Sequence, residues 1–384
     1  MTLGIFDISV VDLCLVGALL LTFVYEVYFY LRYIRLRSTD RFGDGTQTAS
    51  QTAENAPGVS VIICAHNESY NLKAYIQSLL TQDYPTFEVI VVNDGSEDST
   101  QAVIESYAIL DSRVRTTFVP NGARVKSTKK LALTLAAKAA KYDYLLLTDA
   151  DCRPETTHWI SAMMAGFKRN EHTEIVLGYG AYFAEPTMLN AVIQYDTLFN
   201  GLHYMGAAAT GKPYMGVGRN LAYRKDTFFT HGGFSDLMKT CAGDDDLFVN
   251  KVATRSNVTA VNTPDSITWS VPEQRWKDWW QQKRRHLSVS SEYTARSRRH
   301  LAKEPFVRGL FYALEIAIFV LCSPLALCVA YGLLLLRMVM QLVVLNRAAK
   351  RLGQPAMGLE IVCFDIMLPL VTLAALSGKK KVKW

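Results

Sequence analysis

Two aspartates separated by a single alanine stand where an apolar stretch of the chain ends. They are Asp149 and Asp151, in the sequence YLLLTDADC. Two carboxylates at this spacing can share one divalent cation, whose charge offsets their mutual repulsion. An oxygen-only site completed by substrate phosphates suits Mg²⁺ or Mn²⁺, and no set of His and Cys residues indicates zinc. A lone pair of this kind is more often a surface turn, so its meaning depends on the acids that accompany it.

Further acids occupy two other strand-to-helix or helix-opening positions. The stretch VNDGSEDST contains Asp94, and the stretch GDDDLFVNKVA opens a helix with three successive acids, Asp244, Asp245 and Asp246. Capping alone would explain them, because Asp favours such turns and carboxylates favour helix N-termini. The functional interpretation is a ligand role for Asp94 and a general base among the three acids.

A basic and aromatic stretch, PEQRWKDWWQQKRRHL, follows further along the chain. Three tryptophans share one face at helical spacing: Trp276, Trp279 and Trp280. That spacing is typical of an amphipathic helix lying at a membrane interface. The polar residues beside them are Gln282, Arg284, Arg285 and His286. A pair of guanidinium groups near a diphosphate would stabilise it as a leaving group.

Short β-branched runs alternate with helical patterns from residue 59 to residue 148. The strand-like runs cover residues 59–65, 87–93, 114–119 and 144–148. This alternation predicts an α/β domain with a Rossmann-like, mixed and mostly parallel sheet. Ligands of such sheets collect at the carboxyl ends of the strands, so we expect Asp94 and Asp149 at the same edge.

Apolar stretches flank this domain on both sides. Residues 8–31 are long enough to cross a bilayer and are followed by basic residues, which predicts an external amino terminus and a cytoplasmic domain. A signal peptide would need a positive start and a small-residue cleavage site, and neither is present. Residues 309–345 predict a membrane hairpin turning near Ser323 and Pro324, and residues 361–377 predict a re-entrant or interfacial helix.

Five regions result from these patterns. They are an N-terminal transmembrane anchor (1–37), a flexible linker (38–58), a cytoplasmic α/β domain (59–272), an amphipathic interfacial region (273–308) and C-terminal membrane segments (309–384). The formal net charge is +6, but the basic clusters border apolar stretches instead of forming one face, which argues against nucleic acid as a partner. The seven cysteines form no CxxC pair, which is typical of thiols in a reducing compartment.

Taken together, these residues resemble the membrane-bound family 2 glycosyltransferases, whose nucleotide-sugar domain has the GT-A fold. The similarity covers the region from residue 58 to residue 300, and several motifs occur in the family's order. VSVIICAHNE is similar to the family's first strand, VNDGSEDST to its second-strand turn, and TDADC to its DxD motif. The resemblance implies that Asp94 binds the nucleotide base, Asp149 lies near the nucleotide and Asp151 ligates the metal.

The resemblance also assigns the acceptor side. The family's acidic motif, which carries the catalytic base, corresponds to Asp244 and Asp245, with Asp245 preferred and the register open by one residue. MGVGRNLAYRK looks like the acceptor-side loop and implicates its central residues, Gly218, Arg219 and Asn220. A lysine beside the nucleotide matches Lys129 or Lys130, and we take Lys130. The family's Gln-x-x-Arg-Trp motif is matched at residues 282–286 with His286 in the last place, which argues against chain polymerisation.

The implied activity is an inverting, metal-dependent sugar transfer. The donor would be a nucleoside diphosphate sugar, and the acceptor a hydroxyl of a lipid, lipid-linked or saccharide molecule at the cytoplasmic face of a membrane, expected to be a bacterial inner membrane. Three alternatives stay open: a processive polysaccharide synthase, a nucleotidyltransferase that releases pyrophosphate, and a catalytically silent nucleotide-sugar sensor or scaffold.

Overall fold

Helices and strands alternate through the middle of the chain, between helices long enough to span a membrane. The computed structural model describes residues 9–35, 56–120, 125–238, 240 and 242–377. The helices are α1 (Val10–Arg35), α2 (Ser69–Leu80), α3 (Thr100–Leu110), α4 (Thr128–Ala139), α5 (Trp159–Lys168), α6 (Met188–Ala209), α7 (Lys225–Thr230), α8 (Asp246–Val252), α9 (Trp276–Ser288), α10 (Ala295–Leu321), α11 (Pro324–Arg351) and α12 (Glu360–Ser377). The strands are β1 (Val59–Ala65), β2 (Phe87–Asn93), β3 (Val114–Phe118), β4 (Tyr144–Asp149), β5 (Cys152–Pro154), β6 (Ile175–Leu177), β7 (Gly180–Tyr182), β8 (Leu221–Arg224), β9 (Val258–Ala260) and β10 (Thr268–Ser270).

Seven strands form the main sheet in the order β3-β2-β1-β4-β8-β6-β9. The first four strands of this order are parallel to one another, whereas β8 runs antiparallel to both of its neighbours. The predicted mixed, mostly parallel sheet is therefore confirmed. The four parallel strands are the ones that the sequence predicted, and three of them end beside polar residues.

Both faces of the sheet are buried, as the continuous apolar runs of its strands require. Neighbouring residues of β1 point to opposite faces, so Ile62 packs in one core and Val61 in the other. The Val61 face is covered by α2, α3 and α5, and the Ile62 face by α4 and α6. These two layers hold the carboxyl ends of β1, β2 and β4 in fixed positions along one edge.

A second sheet of three strands, in the order β5-β10-β7, lies next to this edge. It begins at Cys152, directly after Asp151, so the chain leaves the main sheet and immediately pairs with β10. The helix α6 follows β7 and contacts α1, α11 and α12. It therefore joins the α/β domain to the apolar helices.

Three helices are long and apolar enough to cross a membrane among the residues described, namely α1, α11 and α12. The helix α10 is apolar only in its second half, and the predicted turn near Ser323 and Pro324 is present between α10 and α11. The backbone N–H of Ser323 donates to Asp12 at 3.3 Å. The start of α1 thus lies beside this turn, so α1 and α11 run in the same direction and α10 runs back between their ends.

Of the predicted linker 38–58, only residues 56–58 are described, and its remainder lies outside the described residues. The same applies to the ends of the predicted terminal regions, residues 1–8, 36–37 and 378–384.

A buried network of charged side chains joins four of these helices. Arg337 of α11 pairs with Glu26 of α1 and, at 2.8 Å, with Asp365 of α12. Asp365 also pairs with Arg308 of α10 at 3.0 Å, and Arg308 pairs with Glu304 at 3.0 Å. All five side chains are buried. In an apolar surrounding, each charge depends on its partners, so the network fixes the four helices relative to one another.

We expect Arg337→Met to lower the free energy of unfolding by about 3–5 kcal/mol, because it leaves Glu26 and Asp365 buried without a shared cation. The measurement is the thermal unfolding midpoint in detergent. Arg347→Met is the matched control, since Arg347 is an exposed residue of the same helix. Equal midpoints for the two variants would contradict a stabilising role for the network.

Candidate active site

The acids predicted from the sequence collect at the carboxyl edge of the main sheet. Asp149 is the last residue of β4, and Asp94 follows directly after β2. The N-terminus of α4 and the start of α8 converge on the same edge, because Lys129 of α4 contacts both Asp149 and Asp244. Asp94 and Asp149 lie at the same edge of the sheet, as expected. The strands β2 and β4 both pair in parallel with β1, so their carboxyl ends lie on the same side.

The pair Asp149 and Asp151 has the geometry of a cation site. One ligand atom each from Asp149, Asp151 and Cys152 lies within 4.8 Å of the other two. Burial raises the pKa of the Cys152 thiol, whose Sγ is 3.0 Å from Ser270 Oγ, and the two carboxylates are the oxygen donors of this group. Burial and the neighbouring Asp149 carboxylate raise the pKa of Asp151. A divalent cation would relieve this repulsion, so the donor set fits Mg²⁺ or Mn²⁺.

Lys129 supplies the positive charge inside this acidic group. Its Nζ lies 3.0 Å from Asp149 Oδ1 and 3.3 Å from Asp244 Oδ2. Burial alone would raise the pKa of Asp149, but the charges of Lys129, Arg219 and Arg285 lower it. Lys129 therefore keeps one acid of the pair ionised and bridges the strand β4 to the segment before α8.

The structure places the ammonium of Lys130, the lysine taken from the sequence, on oxygens of the chain before the three acids, and the ammonium of Lys129 on the acids themselves. Lys130 is fully buried, and its Nζ donates to oxygens of Leu237, Thr240 and Ala242. The acceptors and their distances are Leu237 O at 3.0 Å, Thr240 O at 2.9 Å, Thr240 Oγ1 at 2.6 Å and Ala242 O at 2.6 Å. Successive residues of a helix point in different directions, so Lys129 faces the acids while Lys130 anchors the segment that precedes them.

Asp94 lies at a turn that two loops build together. Thr128 Oγ1 donates to Asp94 Oδ2 at 2.8 Å, and Gly95 has a φ of +66°. Asn67, in the loop after β1, has a φ of 58°, and its Oδ1 accepts the Glu97 N–H at 2.8 Å. Asn tolerates this left-handed conformation better than most residues. The loops after β1 and β2 are thereby tied together, with the Asp94 carboxylate partly exposed between them.

The three successive acids have different surroundings. Asp245 accepts the N–H of Asp246 at 2.8 Å and the N–H of Gly218 at 2.6 Å. Burial, followed by the charge of Asp244, raises the pKa of Asp245 to about 6. Asp246 is buried, accepts the Tyr293 hydroxyl at 2.7 Å and has a pKa raised by burial to about 8. Both oxygens of Asp246 thus accept hydrogen bonds within the protein, from Tyr293 and from the N–H of Leu247.

Two residues of the turn Gly218–Asn220 have different surroundings: Arg219 lies at the site, and Asn220 supports the fold. The Arg219 guanidinium lies over the Tyr182 ring, 4.1 Å from its centroid. Asn220 is buried, and its amide group bonds to Trp159 Nε1, Tyr179 O and Ser266 O at 3.1, 2.9 and 2.6 Å. The side chain of Asn220, which the sequence predicted to bind substrate, thus makes its hydrogen bonds within the protein and joins β8 to its neighbours.

The basic helix α9 carries the remaining predicted residues. Gln282 Nε2 donates to Glu273 Oε1 at 3.3 Å, and the Gln282 side chain also hydrogen-bonds to Tyr182. Gln282 therefore lies beside the tyrosine ring that supports Arg219. Arg284 and Arg285 are partly buried and His286 is exposed, and the charge of Arg285 reaches Asp149. Trp279 is buried in the protein core, whereas Trp276 is half exposed. Trp279 therefore packs against protein, not lipid, so the three tryptophans do not form one exposed face.

Two residues of the site were missed from the sequence. Tyr182 supports Arg219, and Thr128 holds Asp94. Tyr182 lies in a strand of three residues without any motif. Thr128 had a recognisable signal, since it follows Ser127, which caps α4 by accepting the Lys130 N–H. Side chains at a helix N-terminus on this sheet edge are candidates for the site.

Residues 60–235 match the model of the family described as Glycosyl transferase family 2. The chain is 27% identical over 241 residues to the probable glycosyltransferase YdaM of Bacillus subtilis, covering 61% of this chain and 56% of that protein. It is 32% identical over 98 residues to the poly-beta-1,6-N-acetyl-D-glucosamine synthase of Staphylococcus epidermidis, covering 26% and 23% of the two chains. The matched region thus spans just over half the length of the first of these relatives and about a quarter of the second.

A solved structure resembles the chain over nearly its whole length. The mannosyltransferase PcManGT of Pyrobaculum calidifontis, solved with GDP-Man and Mn²⁺, has a TM-score of 0.57 at 17% identity, covering 96% of this chain and 99% of that one. At this identity the similarity concerns the fold. The α/β domain accordingly has the GT-A fold that the sequence implied, with apolar helices at both ends.

We expect Lys130→Met to lower the temperature midpoint of unfolding more than Lys129→Met does, although both variants replace a lysine by a methionine. The first variant leaves several buried oxygens without their donor, at a cost of about 1–3 kcal/mol each. The second removes a partly exposed ammonium. Thermal unfolding of the two variants side by side measures the difference, and a larger loss for Lys129→Met would contradict the roles assigned above.

Proposed function

Because the chain is a family 2 glycosyltransferase with helices able to span a membrane, we propose that it transfers a sugar, with inversion, from a nucleoside diphosphate sugar to a membrane-associated acceptor. The supporting observation is the meeting of a cation-binding carboxylate pair with a separate, differently held carboxylate at one sheet edge. The first suits a diphosphate, and the second suits removal of a proton. A binding protein or scaffold would need only the first.

The donor side consists of Asp94, Asp149, Asp151 and Lys129. Asp151 and Asp149 would hold Mg²⁺ or Mn²⁺, which when bound neutralises charge that grows on the diphosphate as the sugar leaves. Asp94, held by Thr128 and partly exposed, has free oxygen lone pairs for the nucleotide base. Lys129 is placed to exchange its carboxylate contacts for contacts with a phosphate.

Further positive charge for the leaving diphosphate comes from two arginines. Arg219 is fixed over Tyr182, and the charge of Arg285 already acts on Asp149. Guanidinium groups bind phosphate oxygens with defined geometry, and a fixed group costs little reorganisation when the charge develops. Arg284 precedes Arg285 on α9 and adds a second guanidinium group to this helix. Desolvation, followed by the charge of Arg285, lowers the pKa of His286 to about 3, so its imidazole adds no positive charge near neutral pH.

The acceptor hydroxyl needs a base on the opposite side of the sugar from the diphosphate. We assign this role to Asp245, because two backbone N–H groups fix its carboxylate and its pKa of about 6 suits a base near neutral pH. Asp244 instead contacts Lys129 and is assigned to the charge balance of the donor side. The hydroxyl would lose its proton to Asp245 as its oxygen attacks the anomeric carbon, which inverts the configuration.

The membrane boundary can be inferred from one face of α10. Along this face the exposed residues change from basic to apolar, in the order Arg296, Arg299, Lys303, Phe306 and Leu310. The segment from Phe306 to Leu321 then enters the bilayer, and the basic residues remain at the headgroups. Basic residues concentrate on the cytoplasmic side, so we place the catalytic domain in the cytoplasm, at an inner membrane of a bacterial cell.

The acceptor follows from this placement. A site held at the membrane surface by α6 and α9 is suited to a lipid, a lipid-linked sugar or a saccharide that emerges from the membrane. The similarity to a poly-beta-1,6-N-acetyl-D-glucosamine synthase supports processive synthesis as the second candidate, but His286 stands where such synthases carry tryptophan. Product length after reaction with donor separates the two.

The first test is release of nucleoside diphosphate by the purified protein. We expect release from one member of a panel of UDP- and GDP-sugars, with Mn²⁺ or Mg²⁺ and total membrane lipid as acceptor. Asp151→Ala should abolish it, whereas Asp196→Ala, which changes an acid paired with Lys283, should keep it. Donor binding without release under all conditions would favour a nucleotide-sugar sensor, and pyrophosphate release from a nucleoside triphosphate would favour a nucleotidyltransferase.

We expect Asp245→Asn to reduce kcat by about a hundredfold to ten-thousandfold while the KM for the donor stays similar, because a general base contributes this much. Asp244→Asn should mainly raise the KM for the donor, since Asp244 contacts Lys129. The opposite pattern for the two variants would transfer the role of base to Asp244.

The pH profile provides a second readout for the same pair. With the pKa of Asp245 near 6, kcat/KM of the wild type should fall as the pH drops below this value, because a protonated carboxyl cannot accept the hydroxyl proton. The residual activity of Asp245→Asn should lack this decline. A decline retained in that variant would exclude Asp245 as its origin.

A further inference from the structure

Basic side chains from three segments of the chain meet where α10 leaves the α/β domain. The segments are the end of α1, the turn 210–214 after α6 and the first half of α10. His300 of α10 lies beside Tyr214 of the turn, with ring centroids 6.3 Å apart. Arg32 of α1 donates from its Nη2 to Thr210 Oγ1 of the same turn at 3.1 Å. The turn therefore holds the ends of α1 and α10 next to each other.

All the charges of these three segments are positive. Residues 27–33, 210–214 and 293–303 together contain six lysines and arginines, and neither aspartate nor glutamate. The next acid along α10, Glu304, is buried and pairs with Arg308 at 3.0 Å. The positive charge of the three segments is therefore not offset by an acid of their own.

Four of the basic residues surround His300. Arg296, His300 and Lys303 follow one another at spacings of four and three residues, so they share one face of α10. Burial, followed by the charges of the four basic residues, lowers the pKa of His300 to about 4, so its ring is neutral near neutral pH. We call these four residues the basic cluster, and they are Arg32, Lys212, Lys303 and Arg296.

The basic cluster is open to solvent and lies next to the apolar part of α10. Lys212, Arg296 and Lys303 have exposed side chains, and Arg32 is buried behind them. Phe306, three residues beyond Lys303, is 69% exposed, and an apolar segment of the helix follows it. Exposed rings of this kind are typical of the depth at which a helix enters a bilayer. The exposed ammonium and guanidinium groups are thereby placed at the depth of the lipid phosphates.

The charge of the cluster selects among the lipids that could occupy this position. Guanidinium and ammonium groups bind phosphate oxygens, and basic residues next to a membrane helix attract anionic lipids. Phosphatidylcholine carries a quaternary ammonium group, which a cluster of cations repels. An anionic phospholipid such as phosphatidylglycerol has a phosphate without this cation, and its acyl chains would lie along the apolar half of α10.

We propose that the basic cluster is a binding site for the headgroup of an anionic phospholipid, held between α10 and the turn 210–214. The site shares no residue with the cleft, so the lipid is a partner of the protein besides the donor and the acceptor. The proposal depends on the insertion of α10 into a membrane and not on the transfer of a sugar. A bound headgroup would reduce the repulsion among the four cations.

The test measures lipid retention by the full-length protein with native mass spectrometry. The protein in detergent is titrated with an equimolar mixture of phosphatidylglycerol and phosphatidylcholine that carry the same acyl chains. We expect selective retention of phosphatidylglycerol, with a loss of selectivity as the salt concentration rises, because salt screens the attraction. Equal retention of the two lipids at low salt would overturn the site.

Two matched double variants locate the binding. Lys212→Gln/Arg296→Gln removes two charges of the cluster, and Lys350→Gln/Arg347→Gln removes the same two residue types from exposed positions of α11. We expect the first variant to weaken phosphatidylglycerol binding by about thirtyfold, roughly five- to sixfold for each charge removed. The second variant should bind like the wild type. Equal weakening in both variants, or none in the first, would overturn the proposal.

Competition with inorganic phosphate separates a lipid site from a site for free anions. Excess phosphate, compared with chloride at the same ionic strength, should leave the retention of phosphatidylglycerol unchanged, because free phosphate lacks the acyl chains. Displacement of the lipid by phosphate would assign the cluster to a free anion and overturn the lipid site. Diphosphate release from a sugar donor is measured separately, so its absence would reject the transferase activity and leave the lipid site standing.

Discussion

Four carboxylates must coexist around Lys129 at one sheet edge, and much of the site follows from this condition. Asp149, Asp151, Asp244 and Asp245 belong to two separate segments, which repel each other unless a cation lies between them. Lys129 bridges the segments through Asp149 and Asp244. The other two acids differ from these and from each other: Asp245 accepts two backbone N–H groups, whereas burial and the Asp149 carboxylate raise the pKa of Asp151, which a divalent cation would offset. On the proposed function, this charge balance separates the carboxylates that would face the diphosphate from the carboxylate that would accept the proton.

The acids of the site are held in place by buried residues that lie behind them. Lys130 fixes the segment before α8, Asn220 joins β8 to its neighbours, and Asp246 is held by Tyr293. All three are polar residues beside functional ones, with side chains that are buried and hydrogen-bonded. Their hydrogen bonds within the protein stabilise the walls of the cleft, although a motif alone would place each of them in the site.

The contrast between residues at the site and the buried residues beside them explains what the sequence could and could not predict. The strands β1 and β2 were predicted with correct ends, because their apolar runs are continuous and end at polar turns. Asp149 and Asp151 followed from the end of β4. The choice between Lys129 and Lys130 did not, since it depends on the rotation of α4 about its axis. Trp279 was expected at a membrane interface, but tertiary packing buries it.

The charged network between the apolar helices has a consequence for how the chain is made. Arg308 and Arg337 precede their shared partner Asp365 by 57 and 28 positions along the sequence. While the ribosome is still synthesising α12, both arginines lack this carboxylate, and their early insertion into lipid is opposed. These four helices can therefore reach their final arrangement only after α12 has been released, so packing of α1, α10 and α11 is completed by a helix that follows all of them in the sequence.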